Sequence, residues 1–392
     1  MKNLKDKYLA PAPLKKLIII FLVPIFLVFL AGCATAKDGF VFSEVERVVA
    51  LGDLHGDFKA YEEIMLAAGL RSLKGKWIGG RTHLVQTGDI TDRGPDSKKI
   101  YDDLFKLAKK AKKKGGQIHL LIGNHEMMNI MGDLRYVTAG EYAAFRTKNS
   151  EKNLKSFFDQ LMSKGVFATE MTEKELTEEE VYENWLKTHP EGFYEHRLAW
   201  GLGGEYYKKI IQFPSLVKIN GVLFTHAGIS PAYAAVSLED FNTLVKQAIE
   251  KNDEATFDML FAEDAPLWYR GLAENGDEEI PNLGAVLENF GAEMIVLGHT
   301  PTGGIVLPRL MGRVILNDVG LADYYGGSRA FLLYEDGAWF GVHWGQKIKL
   351  PVPGDQALIE YLKKVAALNP NPAYIEQLIK TLENPPLEVV LN

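Results

Sequence analysis

The strongest constraint on this chain is a pattern repeated five times. A short apolar run ends abruptly in a cluster of small and polar residues. Val48–Leu51 leads into GDLHGD, Leu84–Gln86 into GDITDRG, and Ile118–Ile122 into GNHE. Val222–Phe224 leads into THAG, and Met294–Leu297 into GHT. Short β-branched runs bounded by Gly and Asp predict buried strands followed by loops. Between the first three runs lie predicted helices over 58–70 and 96–114, the second with a Lys-rich exposed end. Alternating β and α predicts an α/β core with helices covering the sheet. Ligands in such sheets gather beyond the carboxyl ends of strands. Clusters spread over about 250 positions can therefore converge on one site.

The clusters carry Asp53 and His55; Asp89, Asp92 and Arg93; Asn124 and His125; His226; and His299. Carboxylate, imidazole and amide oxygen are ligands for Mn, Fe or Zn rather than for a soft thiolate-bound metal. The single cysteine, Cys33, excludes a Cys-based zinc site and a disulfide framework. Isolated carboxylates are prohibitively costly to bury, and two divalent cations would offset that cost. One cation is expected on Asp53, His55 and Asp89, the other on Asp89, Asn124, His226 and His299. Asp89 then bridges ions roughly 3.5–4 Å apart, and a water between them becomes a nucleophile near neutral pH. Arg93 can grip a phosphate fork to fork, with Arg270 in PLWYRG as the second clamp. His125 is expected to protonate the leaving oxygen, with Asp92 orienting it and holding it cationic. His83, His119, His189, His196 and His343 lie outside the clusters or inside strand patterns and are read as structural. The Trp and Tyr residues of 182–207 are read as packing.

The series GDLHG, GDITDRG, GNHE, THAG, GHT resembles the phosphoprotein phosphatase branch of the calcineurin-like metallophosphoesterases. GNHEMMNIMGDLRYV, LFTHAGISP, PLWYRG and NDVGLADYYGG are similar to its bacterial-type, Shewanella-like subgroup. The resemblance covers roughly 46–345. It implies a four-layer αββα sandwich of mixed sheets, two metals, and hydrolysis of phosphomonoesters by direct attack of water. It also implies the metal ligands Asp53, His55, Asp89, Asn124, His226 and His299, the phosphate-binding Arg93 and Arg270, and the acid pair His125 and Asp92. The gap from GNHE to THAG is longer than in the eukaryotic Ser/Thr enzymes. Their late tyrosine has no clear counterpart, though Tyr324 or Tyr325 could serve. The expected substrate is a phosphorylated protein or peptide. The rival readings are a small phosphomonoester (nucleotide, dinucleoside polyphosphate or sugar phosphate) and a non-catalytic lipoprotein module.

The first 33 residues read as an address. Five lysines and one aspartate precede the run LIIIFLVPIFLVFL at 17–30, which is short for a membrane span of about 20 apolar residues. A basic start, an apolar core and a small-residue end describe a secretory signal. Leu30-Ala31-Gly32-Cys33 resembles a bacterial lipobox, which implies a signal peptide over 1–32 and lipid on Cys33. The expected location is extracytoplasmic and lipid-anchored, on the periplasmic side of an outer membrane if the cell has one. Loss of 1–32 removes a net charge of +4 from the chain's −7 and leaves −11. That balance disfavours a nucleic-acid surface and leaves lipid chains, not a basic patch, as the membrane hold.

With 47% hydrophobic and 24% charged residues, the 392-residue chain is an ordinary globular protein rather than a disordered one. The expected catalytic domain is 33–350. Within it, 135–215 reads as inserted helices forming a cap, and its run EKELTEEE as a solvated helix face. Residues 304–347 alternate like antiparallel strands and suggest a second sheet. The tail 351–392 reads as two short helices split by NPNP.

Overall fold

The computed structural model describes residues 39–384. The signal peptide over 1–32 and Cys33 lie outside the described residues. Two six-stranded mixed sheets pack with helices outside them, giving the four-layer α/β architecture. The strands are β1 Val41–Phe42, β2 Val48–Leu51, β3 His83–Gln86, β4 Gln117–Leu120, β5 Leu216–Ile219 and β6 Val222–Thr225. Then follow β7 Met294–Leu297, β8 Leu307–Arg309, β9 Val314–Leu316, β10 Ala330–Glu335, β11 Ala338–His343 and β12 Gln346–Lys349. One sheet has the order β1-β5-β6-β7-β9-β8, the other β12-β11-β10-β2-β3-β4.

Strands β2, β3 and β4 are parallel in consecutive register, as are β6, β7 and β9. All four residues of β2 and of β6 are buried, as expected for strands covered on both faces. A continuous apolar core runs through both sheets, with Phe224 of β6 meeting Trp339 of β11 across the seam at 6.3 Å between ring centres. The 304–347 stretch is antiparallel where expected but does not form one sheet of its own. Its β8–β9 hairpin extends the sheet of β6 and β7, and β10–β12 extend the sheet of β2. Alternation shows that a strand pairs, not with which sheet.

Helices α1 (Phe58–Ala67) and α2 (Ser97–Lys112) end earlier than their apolar patterns. Both stop in the same way. Gly69 and Gly115 take positive φ (65° and 77°). The following N–H of Leu70 and of Gly116 reaches back to the carbonyls of Met65 and Ala111. These are Schellman caps, which turn the chain out of the helix within three residues.

Helix α3 (Asn124–Met131) starts directly at the GNHE cluster. Six further helices fill the stretch before β5: α4 Ala139–Ala143, α5 Ser150–Ser163, α6 Ala168–Lys174, α7 Glu178–Leu186, α8 Phe193–Trp200 and α9 Glu205–Ile210. They enclose a small core of their own around Leu154, Phe158, Phe167, Val181, Trp185 and Phe193. The acidic run lies over the end of α6 and the start of α7, where Thr177 and Glu180 form a capping box. The tail carries helices Asp355–Leu368 and Ala373–Glu383, held to the core through Leu362, Val365, Ile375 and Ile379. Among the described residues no helix is long and apolar enough to cross a membrane.

Candidate active site

The five clusters meet at one edge of the sandwich, where the carboxyl ends of β2, β3, β4, β6 and β7 come together. The loops after β2 and β3 are laced by backbone bonds: Leu54 and His55 both donate to the Asp89 carbonyl, and Gly56 donates to Ile90. Across the seam, the Asp53 carboxylate accepts the backbone N–H of His299 at 3.1 Å, a pair 246 positions apart. Gly298 is required at this crossing. A Cβ there would sit 2.6 Å from Asp53 Oδ1.

Five of the candidate residues hold backbone conformations that side chains disfavour. His55, Asp89, Asp92, Arg93 and His299 have φ of 43°, 57°, 72°, 67° and 66°. Left-handed backbone at non-glycine positions costs roughly 1–3 kcal/mol each and persists where the surroundings enforce it, typically at functional sites.

Two donor sets each gather their ligating atoms within 4.8 Å of one another, and all members are buried. One is His55, Asp89 and His125; the other is Asp89, His226 and His299. Asp89 is common to both. Asn124 Oδ1 lies 2.7 Å from His226 Nε2, and Asp53 Oδ2 lies 4.0 Å from His55 Nε2. All six sequence-derived candidates are therefore gathered, with His125 in addition.

The histidines separate by what holds them. His55 Nδ1 faces the Thr91 carbonyl at 3.0 Å, His226 Nδ1 the Thr87 carbonyl at 2.9 Å, and His299 Nε2 the Trp268 carbonyl at 3.2 Å. A carbonyl only accepts, so the ring nitrogen facing it donates, and the opposite nitrogen of a neutral ring carries a lone pair. This is the orientation that ligating imidazoles require. Burial lowers His55 to about 3, reinforced by His125 and Arg93 and opposed by Asp89. Burial, with His226 and Arg270 adding to it, pushes His299 well below the ordinary value.

His125 differs. Its Nδ1 bonds a carboxylate, Asp92 Oδ2, at 2.6 Å, and Asn129 Nδ2 donates to the other oxygen of Asp92 at 2.9 Å. Burial lowers the His125 pKa, but the charge of Asp89 and the bond and charge of Asp92 outweigh it and raise it to about 9. His125 is built to keep a proton, and burial disfavours a charge on His55 and His299.

Asp53 and Asp318 carry the opposite strain, whereas at Asp89 burial is outweighed by His226, His125 and His55, which hold it below the carboxylate range. Burial, followed by the charges of Asp318 and Asp89, pushes Asp53 well above the usual carboxylate range. Burial raises Asp318 to about 6, with Asp89 adding to it and the Gly320 N–H opposing. Such a cluster fits divalent cations, which relieve its mutual repulsion.

Arg93 lies at the rim. Its guanidinium stacks on Tyr136 at 3.8 Å and on Tyr324 at 4.8 Å, and Nη1 donates to Tyr324 Oη at 3.2 Å. Its Nε is buried with no protein partner. Arg270, at the cap of the short helix Gly271–Glu274, donates from Nη2 to the His299 carbonyl at 3.2 Å. The ring of Tyr325 lies 5.1 Å from that of His55, while Tyr324 is exposed.

Sequence reasoning missed Glu126. Fully buried, it accepts backbone N–H groups from Asp89, Ile90 and Gly123 at 2.8 Å and the Tyr101 hydroxyl at 2.7 Å. A Glu at the third position of a helix, reaching back to the residue before it, is the carboxylate half of a capping box. GNHE carries that signal. Asp318, Glu141 and Tyr136 were also missed; Asp318 and Tyr136 stand inside NDVGLADYYGG and GNHEMMNIMGDLRYV, but nothing in their type or spacing singles them out.

The histidines read as structural are placed in packing contacts. His119 Nε2 lies 3.1 Å from His83 Nδ1, His189 stacks on Trp185, His196 is buried beside Trp200, and His343 Nε2 lies 2.9 Å from Tyr361 Oη. Trp185, Trp200 and Tyr206 are likewise buried.

The chain is similar to known proteins in sequence and in fold. The chain is 29% identical over 262 residues to Shewanella-like protein phosphatase 1 of Plasmodium berghei, covering 65% of this chain and 61% of that one. It is 50% identical over 97 residues to Shewanella-like protein phosphatase 2 of Arabidopsis thaliana, covering 25% of each. It thus spans less than two thirds of either relative. The cold-active protein-tyrosine phosphatase of the psychrophile Shewanella sp. has a similar structure, with a TM-score of 0.59 and 26% identity over 79% of this chain and 82% of that one. The calcineurin-like phosphoesterase pattern matches residues 46–303 and so takes in all five strand-end clusters. The chain therefore belongs to the calcineurin-like phosphoesterase family and is an enzyme of its Shewanella-like phosphatase branch.

Proposed function

We propose that the chain is a phosphomonoesterase acting on phosphorylated protein or peptide, phosphotyrosine included. The observation that carries this reading is the division among the histidines. Three rings held by carbonyls offer lone pairs, and the fourth, held by a carboxylate, keeps a proton. His55, Asp89 and Asp53 would hold one divalent cation (Mn, Fe or Zn), and Asp89, Asn124, His226 and His299 a second. Bound there, two such cations supply Lewis-acid chemistry toward water and the phosphoryl oxygens. Arg93 binds a phosphoryl oxygen with its free Nε, its plane fixed by Tyr136 and Tyr324. Arg270, bonded to the His299 carbonyl beside the second donor set, would be the second clamp. His125 donates its proton to the leaving oxygen, and Asp92 fixes the ring and restores its charge.

The substrate class is supported by the names of the relatives. Turnover of phosphotyrosyl and phosphoseryl peptides, nucleotides and sugar phosphates with added Mn tests it. Peptide hydrolysis well above nucleotide hydrolysis is expected. Activity confined to nucleotides or dinucleoside polyphosphates would replace this reading with the small-substrate one. For location, the lipobox-like Leu30-Ala31-Gly32-Cys33 supports an extracytoplasmic enzyme tethered by lipid on Cys33. Labelled palmitate incorporated by the chain, and lost in Cys33→Ser, tests that.

A further inference from the structure

The pole opposite the active-site edge gathers the amino ends of β2, β3 and β4 and the segments that lead into them. One of these is a tight hairpin. Arg71 bridges Trp77, Ser72 donates to the Lys76 carbonyl, and Gly75 donates to Ser72. The hairpin is rigid at its base. Trp77 is buried and bonds the Gly80 carbonyl, and Arg71 pairs with Glu62 and Asp103. The tip nonetheless holds Leu73 at 86% exposure, and Ile78, just past the base, is 56% exposed. These apolar side chains are presented to the outside by an ordered frame.

The surroundings are basic. Lys74, Lys76 and Arg81 on the hairpin segment are exposed. So are Lys109, Lys110, Lys112, Lys113 and Lys114 at the end of α2 and in its turn. The two segments touch: a Cβ at Gly116 would lie 2.5 Å from the Gly80 carbonyl, and one at Gly115 lies 3.4 Å from Arg81. The acids on this corner are Glu44 and Glu46, the latter 3.9 Å from Arg81, with Glu62 and Asp103 held by Arg71 and Glu335 held by Arg47. Eight exposed cations outnumber these five acids, three of them already engaged by Arg47 and Arg71, in a chain whose net charge is −7.

The described chain also enters here. Val41, 40% exposed, and Phe42 line a cavity of about 360 Å³ together with Arg81, His83, Gly115 and Gln117. Cys33 stands six positions before Gly39, so a lipid on it keeps this corner within about 3.3–3.6 Å per residue of the bilayer.

We propose that this corner is a docking surface for an anionic phospholipid membrane, with Leu73 and Ile78 entering the headgroup layer and the lysines facing lipid phosphates. The proposal rests on the N-terminal membrane tether proposed above. It amends the expectation from net charge that lipid chains alone hold the protein, because the charge is unevenly placed. Apolar tips ringed by lysines favour a membrane over a nucleic acid. Docking in this way turns the active-site edge away from the bilayer.

The test uses the full lipidated chain, whose only native cysteine is then blocked. Ile78→Cys is labelled with an environment-sensitive fluorophore, and Tyr324→Cys serves as the label at the opposite end. Each is bound to vesicles of phosphatidylcholine alone or mixed with phosphatidylglycerol. Sedimentation with either vesicle reports the tether. A blue shift at position 78 reports the surface. It is expected only with phosphatidylglycerol, is reversed by molar salt, is absent at 324, and is lost in Lys110→Glu/Lys113→Glu/Lys114→Glu. Each lysine contributes about fivefold in partitioning.

An unshifted label at 78 on sedimented protein, or an equal shift at 324, overturns the proposal and leaves the tether standing. Displacement of the label's signal by single-stranded RNA rather than by phosphatidylglycerol vesicles also overturns it. Failure to sediment with phosphatidylcholine overturns the tether. Salt-sensitive sedimentation with phosphatidylglycerol would in that case still support the surface.

Discussion

The Glu126 carboxylate accepts the backbone N–H of Asp89 at 2.8 Å, so a side chain from α3 fixes the residue common to both donor sets. Glu126→Ala leaves the N–H groups of Asp89, Ile90 and Gly123 and the Tyr101 hydroxyl without their buried acceptor. Each orphaned donor costs about 1–3 kcal/mol. Denaturant unfolding should show a large loss of stability, and titration calorimetry a weakened affinity for Mn. Unchanged Mn affinity would show that Asp89 is positioned without it.

Asp89→Asn and His125→Asn should part metal binding from proton transfer. The first is expected to lose both bound metal and turnover of an aryl phosphate. The second should keep its metal and lose roughly 10²–10⁴ in rate, the usual worth of a general acid. Metal analysis beside the rates checks both. If His125→Asn turned over at the wild-type rate, the acid would have to be sought elsewhere.

Arg93→Lys should behave as a drastic change. An ammonium lacks the planar fork and the free Nε that the stack on Tyr136 and Tyr324 presents. Loss of a charged hydrogen bond worth about 1.5–3 kcal/mol predicts a fall of about ten- to hundredfold in kcat/KM. Steady-state kinetics on wild type and variant measure it.

Glu141 gives a pH signature of stability. Burial, then the charge of Asp92, raises its carboxyl to about 8, with the Thr91 hydroxyl bond opposing. The folded state therefore holds a proton that the unfolded chain releases at an ordinary carboxylate pH. Stability is full below that ordinary range and declines as pH rises through about 8. Glu141→Gln removes this decline, so the Tm difference between variant and wild type should widen between about pH 5 and about pH 9. Parallel Tm curves would refute the assignment.

The fold and the site were legible to different depths. Strand ends were readable because an apolar run broken by Gly and Asp is a local signal, and the positions of Asp53, Asp89, Asn124, His226 and His299 followed from it. Their backing was not readable. The carbonyls of Thr87, Thr91 and Trp268 that orient the histidines belong to residues of ordinary type, and any residue could supply them. Glu126 was missed: GNHE carries a capping signal for it but none for its support of Asp89, because that pairing crosses from α3 to the loop after β3. The division of β8–β9 and β10–β12 between sheets was hidden for a related reason: period-2 alternation records burial on one face and carries no name for the neighbour.

The 246-residue interval between Asp53 and His299 has a consequence for biogenesis. The first donor set lies wholly in the N-terminal half of the polypeptide, but the second is incomplete until His226 and His299 of the other sheet join Asp89. Pairings of such long range form late in folding. A nascent chain thus carries every member of the first set long before the loop after β7 supplies the last member of the second. The two sets stand side by side only once both sheets have been made and docked.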